Sequence, residues 1–465
     1  MYWTVILLIA SVSAYDWQQY DGYKLIHFWP LTQDQIKSVR QIEEREGVLV
    51  MKDLHRDREV DYFVSSNDFD YFISILNNNH IRYQVSTRDI TAELKKEWES
   101  ILTRGYPHTM VYDKDQFNTR EDIEAELDNL ASQCADVNLV CSTEYLPGPP
   151  LHEGQQLKVF HLTGGENPRN SILWESLIHA REWLAGATLM NILDKMVKGY
   201  GTDDNVTALI DNYDFHFIPI MNPDGYQHTW DDERLWRKNR RVNEGSSCLG
   251  VDLNRNYDCN WGDPGASDLP CSATYRGPSS ASEPESETVV NYVMSHTGPA
   301  WIMDVSIHTY GRYILVPYGN CTNAPNWETG LRNVTMAGCT AIEDTFNTEW
   351  SCGNTCEVLC KSLVVIVDDD NKDYYYYYYY YFTDDDDDDG YNGGDDDDNF
   401  TDETSGGSID WMMETAGMPY TFVPELRGVG FVVDPDQIPL STEEVWNGLV
   451  AMVKTMMVMP SPKRN

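Results

Sequence analysis

The segment "NSILWESLIHAREWLAGATLMNILDKMVKGYG", residues 170–201, has a strand pattern that leads directly into a helix pattern. Its first part, 170–180, is a mostly apolar run of the length of a strand that is buried on both faces. Its second part, 184–201, has apolar residues at helical spacing and places Gly199 near its end. A buried strand followed by a long helix is typical of an α/β domain, in which helices cover both faces of a mixed, mostly parallel sheet.

This pattern places two histidines at the ends of predicted strands, which makes them candidate site residues. His179 comes at the end of the predicted strand, and His308 ends a second one, "AWIMDVSIHTYG" (300–311). Ligands bind beyond the carboxyl ends of the strands in sheets of this kind. The two imidazoles are therefore expected at the same edge of the sheet.

Residues 21–93 form a smaller unit with its own pattern. It predicts strand, helix, strand, strand, helix and strand, with Thr32 as the N-cap of the first helix. This order is the ferredoxin-like α+β arrangement. The next segment, "TAELKKEWESILTRG" (91–105), is predicted as an exposed connecting helix that ends at Arg104. We therefore expect a small domain over 15–104 and a large one over 105–465.

The bulk composition restricts the partners. The 465 residues suit two domains, and the formal charge of −41 argues against nucleic acid or an anionic membrane as a partner. Residues 368–398 contain 14 Asp and one Lys, so they supply −13 of this charge. The remaining −28 shows that the rest of the chain is acidic as well. We expect a monomer.

The N-terminus and the cysteines favour secretion. "MYWTVILLIASVSA" (1–14) has a short apolar run followed by small residues, which is typical of a cleaved signal peptide. It lacks the basic residue that usually precedes such a run. The chain has ten cysteines, an even number that indicates disulfides in an oxidising compartment.

His179 and Glu182 are close enough in sequence to bind one metal ion. With His308 they make two imidazoles and one carboxylate, which leaves tetrahedral zinc an open position for water, as in a hydrolytic site. The spacing alone is weak evidence, because H-x-x-E also occurs by chance. A surface histidine beside a Glu–Arg ion pair explains the same residues.

Seven stretches occur along the chain in this order: "NPRNSILWESLIHAREW", "MNPDGYQHTW", "RLWRKNRR", "GVDLNRNYD", "SIHTYGRYILVPYG", "SGGSIDW" and "ELRG". Together they resemble the motifs of the zinc metallocarboxypeptidases of the pancreatic carboxypeptidase A and B type. The resemblance covers about residues 20–360 and 405–455, and its N-terminal part matches the activation segment of the family.

This resemblance implies a role for each matching residue. His179, Glu182 and His308 are the expected ligands of one Zn²⁺ ion, and Asp252 is expected to orient one of the histidines. Glu425 is the expected general base and Arg237 the residue that stabilises the oxyanion. The residues expected to bind substrate are Arg181, Asn254, Arg255, Thr309, Tyr310 and Ile409.

The resemblance also implies the substrate and the regulation. Ile409 matches the floor of the side-chain pocket, and Leu315 and Gly319 are uncharged as well, so aromatic or aliphatic C-terminal residues of peptides or proteins are the expected substrates. A trypsin-like protease is expected to activate the zymogen after Arg104, with Lys95, Lys96 and Lys114 as other available sites.

Several cysteines and histidines have structural interpretations. Cys248 and Cys271 resemble a disulfide of the family. Cys352, Cys356 and Cys360 are four residues apart, which is compatible with a metal-binding helix, although disulfides are favoured. Four histidines without a surrounding motif are interpreted as structural: His152, His161, His216 and His296.

The pattern breaks at about residues 361–404. This segment contains eight consecutive tyrosines and runs of six and four aspartates, a composition that predicts disorder. Asp402 occupies the place of a substrate-closing loop tyrosine of the family. The segment is either a genuine acidic insertion or translated non-coding repeat, which we favour. Two functions follow: a secreted zinc exopeptidase made as a zymogen, or an impaired homologue that binds peptides without turnover.

Overall fold

The computed structural model describes residues 17–43, 45, 47–52, 54, 58–106, 111–164, 169–320, 330–359, 363–366, 375–378 and 404–459. The predicted signal peptide, 1–14, and the loop position Asp402 lie outside these residues. No helix in the described part of the chain is both long and apolar enough to cross a membrane.

The N-terminal domain is a four-stranded antiparallel sheet with two helices. Its strands are β1 (Lys24–Trp29), β2 (Val48–Val50), β3 (Val60–Val64) and β4 (Arg82–Val85), in the order β2-β3-β1-β4. Its helices are α1 (Gln33–Arg40) and α2 (Ser66–Asn78). Thr32 caps α1 in a capping box with Gln35, because its hydroxyl accepts from the Gln35 amide. The ferredoxin-like prediction is confirmed.

The large domain contains an eight-stranded mixed sheet. Its strands are β5 (Val140–Tyr145), β6 (Lys158–Thr163), β7 (Ser171–Ser176), β8 (Asp214–Ile218), β9 (Trp301–Thr309), β10 (Tyr313–Val316), β11 (Ser351–Asn354) and β14 (Tyr420–Leu426). The order is β11-β10-β14-β9-β7-β8-β6-β5. The central strands β14, β9, β7 and β8 are parallel, and antiparallel pairs lie towards both edges. The predicted mixed, mostly parallel sheet is confirmed.

Helices cover this sheet. They are α4 (Arg120–Gln133), α5 (Trp183–Gly199), α6 (Asp204–Asn212), α7 (Pro223–Asp231), α8 (Pro284–Met294), α9 (Leu331–Phe346), α10 (Thr355–Leu359), α11 (Ser408–Glu414) and α12 (Gln437–Val458). The predicted helix after the first histidine is α5, which buries twelve of its residues. Trp183, its first residue, stacks on Trp230 of α7 with ring centroids 4.3 Å apart.

Helix α3 (Ile90–Thr103), which joins the two domains, is not the exposed connector predicted from the sequence. One of its faces is buried: Ile90, Leu94, Glu97, Trp98 and Ile101. These residues follow the i, i+4, i+7, i+8, i+11 spacing of an amphipathic helix. The many charges of the segment hid this narrow buried stripe, which packs in the same core cluster as Trp183 and Phe431 of the large domain.

Three disulfides stabilise the described residues of the large domain. They join Cys134 to Cys141, Cys248 to Cys271 and Cys339 to Cys352. The pair implied by the resemblance, Cys248–Cys271, is confirmed, and Cys352 lies in a strand, not in a metal-binding helix. Cys259 is a buried free thiol.

Two short stretches of the low-complexity segment are among the described residues, and they form a separate two-stranded sheet. Strand β12 (Leu363–Ile366) pairs antiparallel with β13 (Tyr375–Tyr378). The prediction of disorder is therefore wrong for these eight residues. Val, Ile and Tyr all favour extended backbone, which explains why they pair.

Candidate active site

Two elements of the sheet place the three candidate metal ligands. Strand β7 ends at Ser176, and the chain then turns through Leu177, which has a left-handed φ of 53°. This turn places His179 and Glu182 directly before α5. His308 is the eighth residue of β9, the strand that pairs with β7.

The ligand atoms of His179, Glu182 and His308 lie within 4.8 Å of one another. His179 Nδ1 is 2.8 Å from Glu182 Oε1, and His308 Nδ1 is 3.2 Å from Glu182 Oε2. All three residues are buried, with exposures of 4%, 3% and 1%. Two imidazoles and one carboxylate that converge in this way fit a zinc ion with one open position.

The outer nitrogens of both imidazoles are occupied, which leaves each Nδ1 facing the site. Asp252 Oδ1 lies 3.2 Å from His179 Nε2, and Ser306 Oγ lies 3.2 Å from His308 Nε2. Partners of this kind fix the tautomer and the orientation of a metal-binding histidine. Asp252 therefore contacts a candidate ligand histidine, as predicted. The contact of Ser306 with His308 was not predicted, and the S-x-H spacing is the only sequence feature that could have indicated it.

The charges of the cluster support one another. Burial opposes ionisation of Glu182, but the His179 and His308 imidazoles outweigh it and lower the pKa of this carboxyl. Burial also opposes ionisation of Asp252, whose pKa nevertheless lies well below its usual range because of the Arg237 guanidinium and His179. Both acids are therefore anionic, the state that suits a cation site.

Glu425 and Arg237 lie next to this cluster. Glu425 is in register with His308 across the parallel strands β14 and β9, and its Oε1 is 4.0 Å from His308 Nδ1. Arg237 donates from Nη2 to Asp252 Oδ2 at 2.9 Å and also from Nε at 3.2 Å. A carboxylate and a guanidinium thus lie beside the three ligands.

The two residues expected to bind the substrate carboxylate lie on a short 3₁₀ helix, Leu253–Arg255. Asn254 Oδ1 accepts from the Ser408 amide at 2.9 Å, which connects it to the residue before Ile409. The first glycine of the "SGGSIDW" stretch permits the close approach of this segment to Arg255. Gly406 has a φ of +71°, and a Cβ there would lie 2.3 Å from the Arg255 carbonyl oxygen.

Ile409 lies in a small apolar cluster with Leu315, Val358 and Val423. Ile409 is therefore surrounded by apolar side chains, and its role as the floor of a substrate pocket stays a prediction. Its neighbour Asp410 is 3% exposed and accepts from the Gly319 amide at 3.0 Å. Burial raises the pKa of Asp410 to about 7, so this carboxyl carries much less charge than an exposed one.

The N-terminal domain reaches the predicted substrate-binding residues. The Arg181 guanidinium donates to the Val50 carbonyl of β2 at 2.8 Å and stacks on Phe431, 4.0 Å from the ring centroid. Tyr310 packs against the same ring, with centroids 5.1 Å apart. Burial raises the pKa of Tyr310 to about 12, and Lys52 and Asp61 of the N-terminal domain are among its charged neighbours.

Arg234 connects the domains more firmly, and the sequence analysis gave it no role. It is 0% exposed, donates to Glu97 of α3 at 2.7 and 3.2 Å, and stacks on Trp183 at 3.6 Å. It also donates to the carbonyls of Arg181 and Phe431. Its only signal was its place in "RLWRKNRR".

The structure therefore brings the predicted metal ligands, Glu425, Arg237 and Asp252 into one cluster. Thr309 joins it through its backbone amide, which donates to Glu182 Oε2 at 3.1 Å. Asn254 and Ile409 are connected through Ser408, and Arg181 and Tyr310 meet at Phe431. The substrate-binding roles of these residues stay predictions.

Comparisons with known proteins identify the family of this chain. A family model described as Zinc carboxypeptidase matches residues 151–448, and one described as Carboxypeptidase activation peptide matches residues 28–97. The chain is 29% identical to carboxypeptidase A2 of Rattus norvegicus over 96% of its length and 97% of the relative. It is 26% identical to carboxypeptidase A1 of Bos taurus over 96% of its length and 98% of the relative.

Solved structures have the same fold. Carboxypeptidase A from Helicoverpa armigera superposes with a TM-score of 0.74 at 24% identity and covers 94% of this chain and 98% of its own. The thrombin activatable fibrinolysis inhibitor superposes with a TM-score of 0.70 at 22% identity, over 93% of this chain and 98% of its own. The fold and the two matching family models confirm the resemblance. The chain belongs to the zinc carboxypeptidase family, as a metallocarboxypeptidase that carries an N-terminal activation peptide.

Proposed function

We propose that this metallocarboxypeptidase is a secreted zymogen that, once activated, removes aromatic or aliphatic residues from the C-termini of peptides and proteins. The observation that carries the proposal is the buried set of His179, Glu182 and His308 with Glu425 beside it, 4.0 Å from His308. This set supports hydrolysis, and the apolar cluster around Ile409 supports the choice of terminal residue.

His179, Glu182 and His308 would hold one zinc ion, which supplies Lewis-acid activation of water and of the scissile carbonyl. In the proposed mechanism Glu425 accepts a proton from the attacking water and later passes it to the leaving amine. Arg237 supplies a fixed positive charge to the oxygen of the carbonyl as negative charge develops there. Asp252 keeps both Arg237 and His179 in place, because its two oxygens contact one each.

Asn254 and Arg255 would bind the free carboxylate of the substrate, a task that suits a guanidinium. The terminal side chain would then enter the pocket beside Ile409, Leu315 and Val423. An ammonium or guanidinium there meets mainly apolar side chains, and burying a charge without a partner is costly. Arg181, Thr309 and Tyr310 would contact residues further from the cleaved bond.

Secretion is supported by the three disulfides, since such bonds persist in oxidising compartments. A trypsin-like protease that cuts near Arg104 would release the enzyme, which we expect to act as a monomer. These proposals also rest on the sequence at 1–14 and on the basic residues after α3.

The specificity is tested by comparing blocked dipeptides with C-terminal Phe, Leu or Lys after tryptic digestion. We expect Phe and Leu to be released faster than Lys. The Ile409→Asp variant should shift this preference towards Lys by at least about tenfold, because it adds a carboxylate at the pocket wall. Faster release of Lys by the unmodified enzyme would contradict the proposed specificity.

A further inference from the structure

A second cluster of possible metal ligands lies outside the active site. It consists of His152, which precedes β6, and of Glu283 and Glu285 at the start of α8. The sequence analysis interpreted His152 as structural. The ligand atoms of the three residues lie within 4.8 Å of one another, as they do in the catalytic set.

Both carboxylates of this second cluster are buried, whereas its histidine reaches solvent. Glu283 is 0% and Glu285 1% exposed, and the His152 side chain is 24% exposed. His152 Nε2 lies 3.1 Å from Glu283 Oε2. Ligand atoms bound to zinc at about 2.0–2.2 Å are about 3.4 Å apart, which is close to the separation of His152 and Glu283. The partly exposed ring supplies a route for an ion to enter.

Neighbouring side chains hold the two carboxylates side by side. The Asn239 amide donates to Glu283 Oε2 at 2.8 Å and to Glu285 Oε2 at 3.0 Å. Arg241 and Ser282 donate to the other oxygen of Glu283, at 2.9 and 2.7 Å. Partners of this kind orient the ligands of known metal sites.

One carboxylate oxygen of the cluster residues has no hydrogen-bond partner among the described residues. It is Glu285 Oε1, which is buried. Leaving a buried polar oxygen without a partner costs free energy, and two adjacent buried carboxylates repel each other. A divalent cation would satisfy the free oxygen and neutralise the second carboxylate.

A third candidate cluster, in the N-terminal domain, already contains a cation that pairs with both of its carboxylates. It contains His27, Glu59 and Asp61, but the Lys52 ammonium lies 2.9 Å from Glu59 and 2.8 Å from Asp61. There the lysine pairs with both carboxylates, whereas in the cluster at His152 the Arg241 guanidinium pairs with Glu283 and not with Glu285. The comparison singles out the cluster at His152.

We propose that His152, Glu283 and Glu285 bind a second divalent transition-metal ion, with zinc as the probe of choice, in addition to the ion of the catalytic set. One imidazole and two carboxylates are ligands that zinc accepts, with a water molecule in the fourth position. The site lies on the segment that follows Arg237, because Asn239 and Arg241 hold its carboxylates. Metal binding there braces this segment.

The experiment measures zinc binding directly and does not depend on activity. The full chain is stripped with a chelator, titrated with zinc chloride by calorimetry and analysed for metal content. We expect two equivalents for the unmodified chain and one for His308→Ala, which lacks a catalytic ligand. Adding His152→Ala or Glu285→Gln to His308→Ala should weaken the remaining site at least about tenfold.

The matched control is His161→Ala on the same His308→Ala background. His161 Nε2 contacts the Tyr292 hydroxyl at 2.7 Å and lies outside the cluster, so the remaining equivalent should persist. Circular dichroism shows whether each variant folds, and Glu285→Gln answers the question if His152→Ala does not. The proposal is overturned if the unmodified chain binds one equivalent only, or if the paired variants retain the second ion at unchanged affinity.

Discussion

Glu425 is the residue on which the proposed chemistry depends most directly. Its carboxylate lies beside His308, and its side chain is 20% exposed, so water can reach it. Glutamine has nearly the same shape but cannot accept a proton. We expect Glu425→Gln to retain zinc and the affinity for a substrate analogue while its turnover falls about 10²- to 10⁴-fold. Metal content, analogue binding and turnover of the activated variant are the measurements.

The control for that variant is Glu182→Gln, which changes a proposed metal ligand instead of the proposed base. It should lose zinc and turnover together, since a neutral amide replaces the buried carboxylate between His179 and His308. Normal turnover in Glu425→Gln would show that another residue is the base. Loss of zinc in Glu425→Gln would show that its role is structural.

The cluster of candidate metal ligands could be predicted from sequence because its residues lie at strand ends. His179 and Glu182 are in one turn, and the parallel arrangement of β7 and β9 brings His308 to them. The contact of Arg181 with the Val50 carbonyl could not be predicted, because 131 residues separate the partners and the acceptor is backbone. Every residue has a backbone carbonyl, so the identity of Val50 does not indicate that it accepts this hydrogen bond.

At the scale of elements, strands β7 and β9 place two acids in the centre of the sheet. Glu175 is opposite Ser306, and Asp304 is opposite Leu173, so both acids are on the same face; both are 0% exposed. Burial raises the pKa of Glu175 to about 7, and burial together with Glu175 raises the pKa of Asp304. These acids prefer the protonated form in the folded protein.

The sign of the resulting pH dependence follows from linkage. Between about pH 4.5 and 7 the folded chain holds a proton on Glu175 that the unfolded chain has released, so stability falls as the pH rises through this window. Glu175→Gln removes this contribution, and its free energy of unfolding should fall less over the same window. Denaturant unfolding of chelator-treated protein between pH 4.5 and 8 measures it, and an unchanged slope would contradict the assignment.

Helix α3 supports a second prediction at this scale. Its Glu97 is paired with Arg234 in the core, where removing one partner leaves an uncompensated charge, at a typical cost of about 3–5 kcal/mol. Glu97→Gln should therefore destabilise the zymogen strongly and release the N-terminal domain more readily after cleavage. Thermal unfolding and gel filtration of the digested protein check this.

The matched change is Lys96→Ala, one residue away on the same helix. Lys96 forms an ion pair with Asp434, but both side chains are exposed, so solvent weakens their attraction. Its thermal unfolding should hardly change. Equal effects of the two substitutions would show that burial of the Glu97 pair contributes little.

At the scale of the whole molecule, the order of the two domains could be predicted from sequence, but their interface could not. Repeating patterns identify strands and helices within each domain. The contacts between domains come from isolated side chains, such as the Arg88 guanidinium, which donates to the Val429 carbonyl at 2.7 Å. Lys96 and Glu97 illustrate the difficulty, because both are charged and only one is buried.

This interface predicts latency of the uncleaved chain. The N-terminal domain contacts Arg181 through Val50 and places Lys52 and Asp61 near Tyr310, so it occupies surface that we propose binds the peptide substrate. A tethered blocking domain acts at an effective concentration of about a millimolar, so we expect turnover at least about a hundredfold lower before digestion with trypsin than after it.

Lys95 and Lys96 lie within α3, whereas Arg104 is its C-cap, so cleavage is expected after Arg104. Arg104→Gln should delay activation, Lys95→Gln should not, and mass spectrometry of the products identifies the bond. Equal turnover before and after cleavage would mean that the contacts with Arg181 and Tyr310 do not block the substrate.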